Sequence, residues 1–237
     1  MTNEVVSGRL LEAFDGFTLL HLSDLHVDRS PRAMSAVKDL IRDLDYDLCV
    51  WTGDYRGETY GDFRSCLEGL FRLRENISTD VYAVLGDHDT ALMVPDLEAM
   101  GVKVLLNENV ALARNSTRIY LAGVDDAHFY RADNIEKAAD IPNDAYAILL
   151  SHTPEIYRQA AHVGFDLLLG GHTHGGQICL PGGFPLTLDV ILPRRMGKGG
   201  WTYAGMRGYI STGAGASIVP VRFNCPPEIT LHRLIRG

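Results

Sequence analysis

The sequence predicts an α/β fold in which layered, mixed β-sheets are flanked by helices. Two observations carry this reading. Short apolar runs alternate with helix-period segments in the first hundred residues, and a later stretch from Val102 to Val124 is strand-rich with no helix between the runs.

The elements follow in order. "FTLLHLSDLH", from Phe17, opens with an apolar run suited to a buried strand. Met34, Val37, Ile41 and Leu44 then share one helical face behind Pro31, whose fixed φ suits a helix start. "DLCVWTGD" is the second strand, and Phe63, Cys66, Leu67, Leu70 and Phe71 form the second helical stripe. "DVYAVLGDHD" is the third strand, followed by a helix from about Pro95 to Met100. The segments "VKVLL", "NVALA" and "RIYLAGV" come next. A helix near Asp133 to Ala139, the strand "AYAILLSH", a helix after Pro154 and the strand "FDLLLGGHTH" follow, with "GYISTG" and "EITLHRL" as the last strands. No repeat, low-complexity tract or linker interrupts the chain, so one domain over residues 1–237 is the expectation.

Of the 237 residues, 46% are hydrophobic and 22% charged, enough for a sizeable core. The net charge of −8 disfavours a general affinity for nucleic acid or anionic membrane, and no sequence-specific nucleic-acid binding is expected, although a local basic patch is compatible with it. The start "MTNEVVSGRL" lacks the basic-then-apolar pattern of a signal peptide, and no run of apolar residues is long enough to span a bilayer. Cys49, Cys66, Cys179 and Cys225 form no C-x-x-C pair, so reduced thiols in a cytoplasmic protein are expected.

Five apolar runs end in side chains that bind metals. They end in Asp24 and His26; Asp54; Asp87, His88 and Asp89; His152; and His172 and His174. Strand C-termini gather on one edge of an open α/β sheet, where ligand sites form. Asp24-x-His26 and His172-x-His174 share a spacing of two, which in extended backbone points both side chains the same way. Five loops can thus bring seven ligands around two ions. "GGHTHGGQ" sets two imidazoles among four glycines, a loop free to bend around a cation. The competing reading is that each residue merely caps a strand, but five such endings beside Gly53, Gly86, Gly170 and Gly171 argue against coincidence.

The ordered blocks "DLH", "GD", "GDHD", "SH" and "GHTH" resemble the signature of the calcineurin-like metallophosphoesterases, from about Phe17 to the C-terminus. "GGHTHGGQICLP" and "FNCPPEITL" look like the bacterial branch of small phosphodiesterases, which also contains a UDP-2,3-diacylglucosamine pyrophosphatase. The resemblance implies two divalent ions, Mn, Fe or Zn. Asp24, His26 and His174 would hold one ion, Asp87, His152 and His172 the other, and Asp54 would bridge them. It also implies hydrolysis of phosphodiester or pyrophosphate bonds by in-line attack of a metal-bridging hydroxide, with the ions about 3.5–4 Å apart. His88 would stabilise the phosphoryl charge or protonate the leaving group, with Asp89 orienting its ring or capping the next helix.

The chain departs from the family pattern at two places. The family normally has asparagine where this chain has Asp87, and Gly57 replaces a common acid or amide. Three carboxylates against two divalent ions leave about +1 instead of about +2, which predicts tighter metal binding and lower Lewis acidity.

Between Ile178 and Arg207, Arg194, Arg195, Lys198 and Arg207 face only Asp189, interleaved with Phe184, Leu186, Leu188 and Trp201. Arg194, Arg195 and Lys198 are candidates for a second phosphate or a lipid headgroup, with peripheral membrane contact as one version. The plainer reading is a β-hairpin over the core edge with a solvated basic tip. His21 reads as a core residue or a support behind the site. His128, His162 and His232 read as surface residues, and "STGAGAS" as a turn near the site. Two alternatives stand beside the phosphodiesterase: a glycolipid pyrophosphatase, and a non-catalytic metal-binding scaffold on the same fold.

Overall fold

The computed structural model describes residues 1–237, with Arg32 described by its backbone alone. The first half alternates strand and helix: β1 (Thr2–Ser7), β2 (Thr18–Leu22), α1 (Pro31–Arg42), β3 (Leu48–Thr52), α2 (Arg64–Arg74), β4 (Val81–Val84), α3 (Val94–Ala99) and β5 (Val102–Val104). The second half is β6 (Glu108–Arg114), β7 (Thr117–Gly123), α4 (Ile135–Ala138), β8 (Ala147–Leu150), α5 (Tyr157–His162) and β9 (Leu167–Gly170). It continues through β10 (Cys179–Leu180), β11 (Phe184–Pro185), β12 (Gly199–Tyr203), β13 (Met206–Ile210) and β14 (Thr230–Arg236).

Two six-stranded sheets result, in the orders β1-β14-β2-β3-β4-β5 and β12-β13-β9-β8-β7-β6. β2 to β5 are parallel, as are β7, β8, β9 and β13, while β14 runs antiparallel to β2, and β6 and β12 are antiparallel edges. Leu19, Val50 and Val84 of the first sheet pack with Leu121, Ile148 and Leu169 of the second in one apolar cluster, which is the layer between the sheets. The outer face of the first sheet packs on α1 and α2 through Leu20, Cys49, Met34, Val37 and Leu70. The outer face of the second packs on α5 through Leu149, Leu168, Tyr157 and Ala160. The strands read as near-continuous apolar runs because both faces are covered.

α1 shows how the local sequence sets an element. Ser30 accepts from the Ala33 N–H, Pro31 occupies the first turn, and Met34, Val37 and Ile41 are buried on one face. The sequence pattern had no strand for the opening residues, yet β1 lies parallel to β14 at the sheet edge. Its apolar content is only Val5 and Val6, of which Val5 alone is buried, so an edge strand of this kind has little pattern to read. β12, around Trp201, was also not anticipated; it pairs antiparallel with β13.

His232, expected at the surface, is fully buried within β14 and bonded to His21 and Asn3. Alternation along "TLHRL" puts it on the core side with Leu234. All four cysteines are buried and free. Among the described residues, no helix is long and apolar enough to cross a membrane.

Candidate metal centre

Each parallel strand that faces the site ends two or three residues before a ligand-type side chain. Asp24 follows β2, Asp54 follows β3, Asp87 follows β4, His152 follows β8 and His172 follows β9. The C-terminal ends of both sheets therefore converge, and the site straddles the mouth between the two layers. Ligand atoms of Asp24, His26, Asp54 and His174 lie within 4.8 Å of one another, as do those of Asp54, Asp87, His152 and His172. Asp54 belongs to both groups, and the His26 and His152 side chains are closed off from solvent.

The backbone geometry differs from the extended one inferred from the spacing. Asp24 (φ 49°), His26 (φ 40°), Asp54 (φ 56°), His172 (φ 69°) and His174 (φ 49°) are all left-handed. Each costs roughly 1–2 kcal/mol relative to ordinary backbone, and such residues persist where the surroundings over-determine them. Here the Asp24, His26 and Val27 N–H groups donate to Gly53, Asp54 and Tyr55 carbonyls at 3.0, 3.1 and 2.8 Å, prolonging the β2–β3 pairing through the turn. Gly53 has φ 89°, and a Cβ there would lie 2.6 Å from the Gly86 nitrogen, so only glycine lets these two loops touch.

Hydrogen bonds fix the imidazole orientations. His26 Nδ1 donates to the Arg56 carbonyl at 2.7 Å, His152 Nδ1 to the Thr52 carbonyl at 2.7 Å and His172 Nε2 to the Asp189 carbonyl at 2.9 Å. In a neutral ring the other nitrogen is then a bare lone pair. Those lone pairs face acceptors: His152 Nε2 is 3.0 Å from Asp87 Oδ1 and 3.3 Å from Asp54 Oδ1, and His172 Nδ1 is 2.8 Å from Asp87 Oδ1. His26 Nε2 is 3.2 Å from His174 Nε2. Arg222 Nη2 approaches His174 Nδ1, but its two hydrogens are taken by the Thr212 and Gly215 carbonyls, each at 2.6 Å.

Acceptors meeting acceptors call for positive charge between them, and the titration directions agree. Burial alone lowers His152, but Asp54 and Asp87 override it and hold the ring well above 6.5. Burial also opposes ionisation of Asp54 and Asp87, yet the histidines keep both carboxyls below the usual range. His174 is pushed down to about 4, first by burial, and is a neutral nitrogen donor. The seven side chains thus fit divalent cations by donor type and by the charge they demand.

His88 stands at the edge of this ring. Its N–H donates to Asp54 Oδ1 at 3.0 Å, its Nδ1 is 3.4 Å from Thr59 Oγ1, and its ring is edge-on to His26 at 5.3 Å. Asp89 neither orients His88 nor caps a helix. Its buried carboxylate accepts from the N–H groups of Asp54, Tyr55 and Gly86 at 2.8–2.9 Å, while Thr90 caps the following turn. Because three donors converge on it from the two loops, Asp89 locks one loop against the other. Burial and the Asp54 charge push its carboxyl up to about 7, against the pull of those donors.

Arg194, Arg195 and Lys198 are not among the residues gathered around the centre. Arg194 donates to the Pro185 carbonyl, Lys198 to the Gly183 carbonyl, and Arg195 is exposed. The segment forms a short β10–β11 ribbon and a loop; it touches the ligand loop through the Asp189 carbonyl on His172 and the Gly197 carbonyl, which accepts from Thr173 Oγ1 at 2.6 Å. His162 is exposed, as the sequence suggested. His128 is half-buried, with its ring 4.7 Å from that of His172 and its Nδ1 2.8 Å from Glu155 Oε2. Sequence reasoning placed it at the surface, although β7 is a parallel strand like β8 and its C-terminal loop reaches the same mouth. "STGAGAS" lies against the centre, with Gly213 packed on Asp24.

This fold and site define a metal-binding phosphoesterase architecture, and the chain belongs to the calcineurin-like phosphoesterase family, whose profile matches residues 17–176. It is similar to the uncharacterised metallophosphoesterase YkoQ of Bacillus subtilis, 31% identical over 234 residues covering 94% of this chain and 86% of YkoQ. It is also similar to the phosphodiesterase YaeI of Escherichia coli, at 28% identity over 92% of this chain and 82% of YaeI. The structure of TT1561 from Thermus thermophilus shares the fold, with a TM-score of 0.54 at 12% identity, covering 84% of this chain and 91% of that one.

Proposed function

We propose that this phosphoesterase is a dinuclear-metal enzyme that hydrolyses phosphodiester or pyrophosphate bonds. The observation that carries the reading is the gathering of imidazole nitrogens and carboxylates in two groups that share Asp54. In one, the bare lone pairs of His152 and His172 meet carboxylates at 3.3 Å or less; in the other, His174 Nε2 is 3.3 Å from Asp24 and His26 Nε2 3.9 Å from Asp54. Asp24, His26, Asp54 and His174 hold one divalent ion, and Asp54, Asp87, His152 and His172 the other, with Mn, Fe or Zn suited to the mixed nitrogen and oxygen donors. Such ions supply Lewis acidity and a hydroxide nucleophile near neutral pH.

The chain's own residues do the rest. The Arg56, Thr52 and Asp189 carbonyls hold three rings in register, and Asp89 holds the two carboxylate-bearing loops together. His88, partly exposed at the edge of the ring, faces the incoming phosphoryl group and protonates the leaving oxygen or neutralises its charge. The similarity to YaeI favours a phosphodiester over a monoester.

The test is to strip the protein of metal, refill it with Mn, Fe or Zn, and assay a bis-aryl phosphate, an aryl monophosphate, cyclic nucleotides and a UDP-linked glycolipid. Two ions per chain with turnover of a diester or pyrophosphate is the expected result. Two ions bound with no turnover of any substrate overturns the catalytic reading in favour of a scaffold.

A further inference from the structure

Nine of the nineteen exposed large apolar side chains among the described residues fall in two short segments, 178–191 and 218–223. The backbone joins the segments into one surface. Ile178 bridges Phe223, the Cys179 N–H donates to the Phe223 carbonyl at 2.8 Å, and Leu180 pairs with Phe184 across the β10–β11 ribbon. Gln177 fastens the other side, its amide donating to the Ser217 and Val219 carbonyls at 2.9 and 3.1 Å. Phe184 is 69% exposed and Phe223 60%. A contiguous apolar patch of this kind on a soluble domain marks a contact surface.

The charges beside it select the partner. Arg194 and Lys198 are hung on the carbonyls of Pro185 and Gly183, on either side of Phe184, and Arg195 is exposed next to Arg194. In a chain of net charge −8, this ribbon is a basic and apolar island. Pairing two copies through it brings the same arginines together, whereas anionic headgroups neutralise them while the apolar side chains enter the acyl boundary. Gln177 directly follows the His174 turn, so a surface bound here lies beside the metal centre.

We propose that the β10–β11 ribbon with the Val219–Phe223 segment is a docking surface for an anionic lipid bilayer. The proposal is independent of the catalytic reading, because it concerns binding alone. The test is co-sedimentation of the metal-loaded protein with vesicles of phosphatidylglycerol or of phosphatidylcholine, at low and high salt. Binding to the anionic vesicles only, weakened by salt, is expected. Arg194→Glu with Arg195→Glu weakens it by at least about fivefold per arginine, and Phe184→Ser weakens it while leaving hydrolysis of a soluble bis-aryl phosphate unchanged. Absence of binding at low salt overturns the proposal. So does a dimer in size-exclusion chromatography that Phe184→Ser disperses, with no vesicle binding, since a second copy then covers the patch.

Discussion

Two groups of buried imidazoles in this chain have opposite fates. His26, His152, His172 and His174 lie beyond the C-terminal ends of three strands, β2, β8 and β9. Carboxylate oxygens are within 3.3 Å of His152, His172 and His174 and 3.9 Å from His26, and the ring nitrogens are turned on one another. His21 and His232 lie inside paired strands, with no carboxylate in hydrogen-bonding contact. Their bonds form a consistent relay: Asn3 Nδ2 donates to His232, His232 Nε2 to His21, His21 Nε2 to Thr52, Thr52 to Ser23 and Ser23 to Asp24. Every ring nitrogen in the relay is used once, so both rings are neutral and need no ion. Burial of imidazole does not by itself make a metal site. What makes one is a place just beyond a strand end, in a left-handed bend at His26, His172 and His174, and carboxylates that leave the lone pair without a donor.

The largest effect tests that distinction by removing the shared carboxylate. Asp54→Ala leaves His152 and His26 without their common partner, and the protein is expected to lose both ions by elemental analysis and all phosphoesterase turnover. Retention of two ions would show that the imidazoles suffice alone. Next is His88→Ala, which removes a group outside the ligand ring. Turnover is expected to fall by about 10²–10⁴ with metal content unchanged; parallel loss of metal would place His88 among the structural groups.

Asp89→Ala probes what holds the ring open. Three buried N–H groups, of Asp54, Tyr55 and Gly86, lose their acceptor. At roughly 1–3 kcal/mol per orphaned group the three together cost about 3–9 kcal/mol, or a melting temperature lower by at least about 10 °C. Asp89→Asn, which keeps acceptor oxygen, is expected to lose much less. Equal losses would mean that charge, not the three bonds, is what matters.

The pair within the sheet is tested by pH. Burial lowers His21 from 6.5 to about 4, and His232 shifts the same way. A histidine whose folded pKa is depressed stays neutral in the native state while the unfolded chain takes up a proton. Its contribution is therefore complete above 6.5 and is lost as pH falls from 6.5 towards 4. For His21 the loss is about 3 kcal/mol across that window. Denaturant melts of metal-free protein check it, and a flat stability profile between pH 7 and 5 would show that the relay is hydrated.

Most of the fold was legible because buried parallel strands are written as unbroken apolar runs, as in "TLLHL", "LCVWT" and "LLLG". The ligand types were legible for the same reason, since each run stops abruptly at a charged or imidazole side chain. Three things were not. Asp89 looked like a neighbour of His88, but the sequence does not show that its carboxylate turns back to backbone nitrogens 34 and 35 residues earlier. His128 has no spaced partner, and only the folding of the loop after β7 brings it to His172. His232 reads as polar in a strand near the C-terminus, and the donor that lets it be buried, Asn3, comes from the other end of the chain.

The smallest effect concerns how many carboxylates the loop group needs. Asp87 has one oxygen at 2.8 Å from His172 and 3.0 Å from His152, a position where an amide oxygen fits as well. Asp87→Asn therefore keeps a donor but removes one negative charge, moving the ring one step towards the carboxylate-free condition of His21 and His232. With fewer anions opposing the cations, metal affinity is expected to fall, turnover to rise a few-fold, and the pH optimum to move down, because net positive charge at such a centre acidifies bound water. Titration of metal affinity beside kcat against pH separates the two consequences. If affinity and optimum are both unchanged, the charge at position 87 is screened, and the contrast between the two groups of histidines rests on backbone geometry alone.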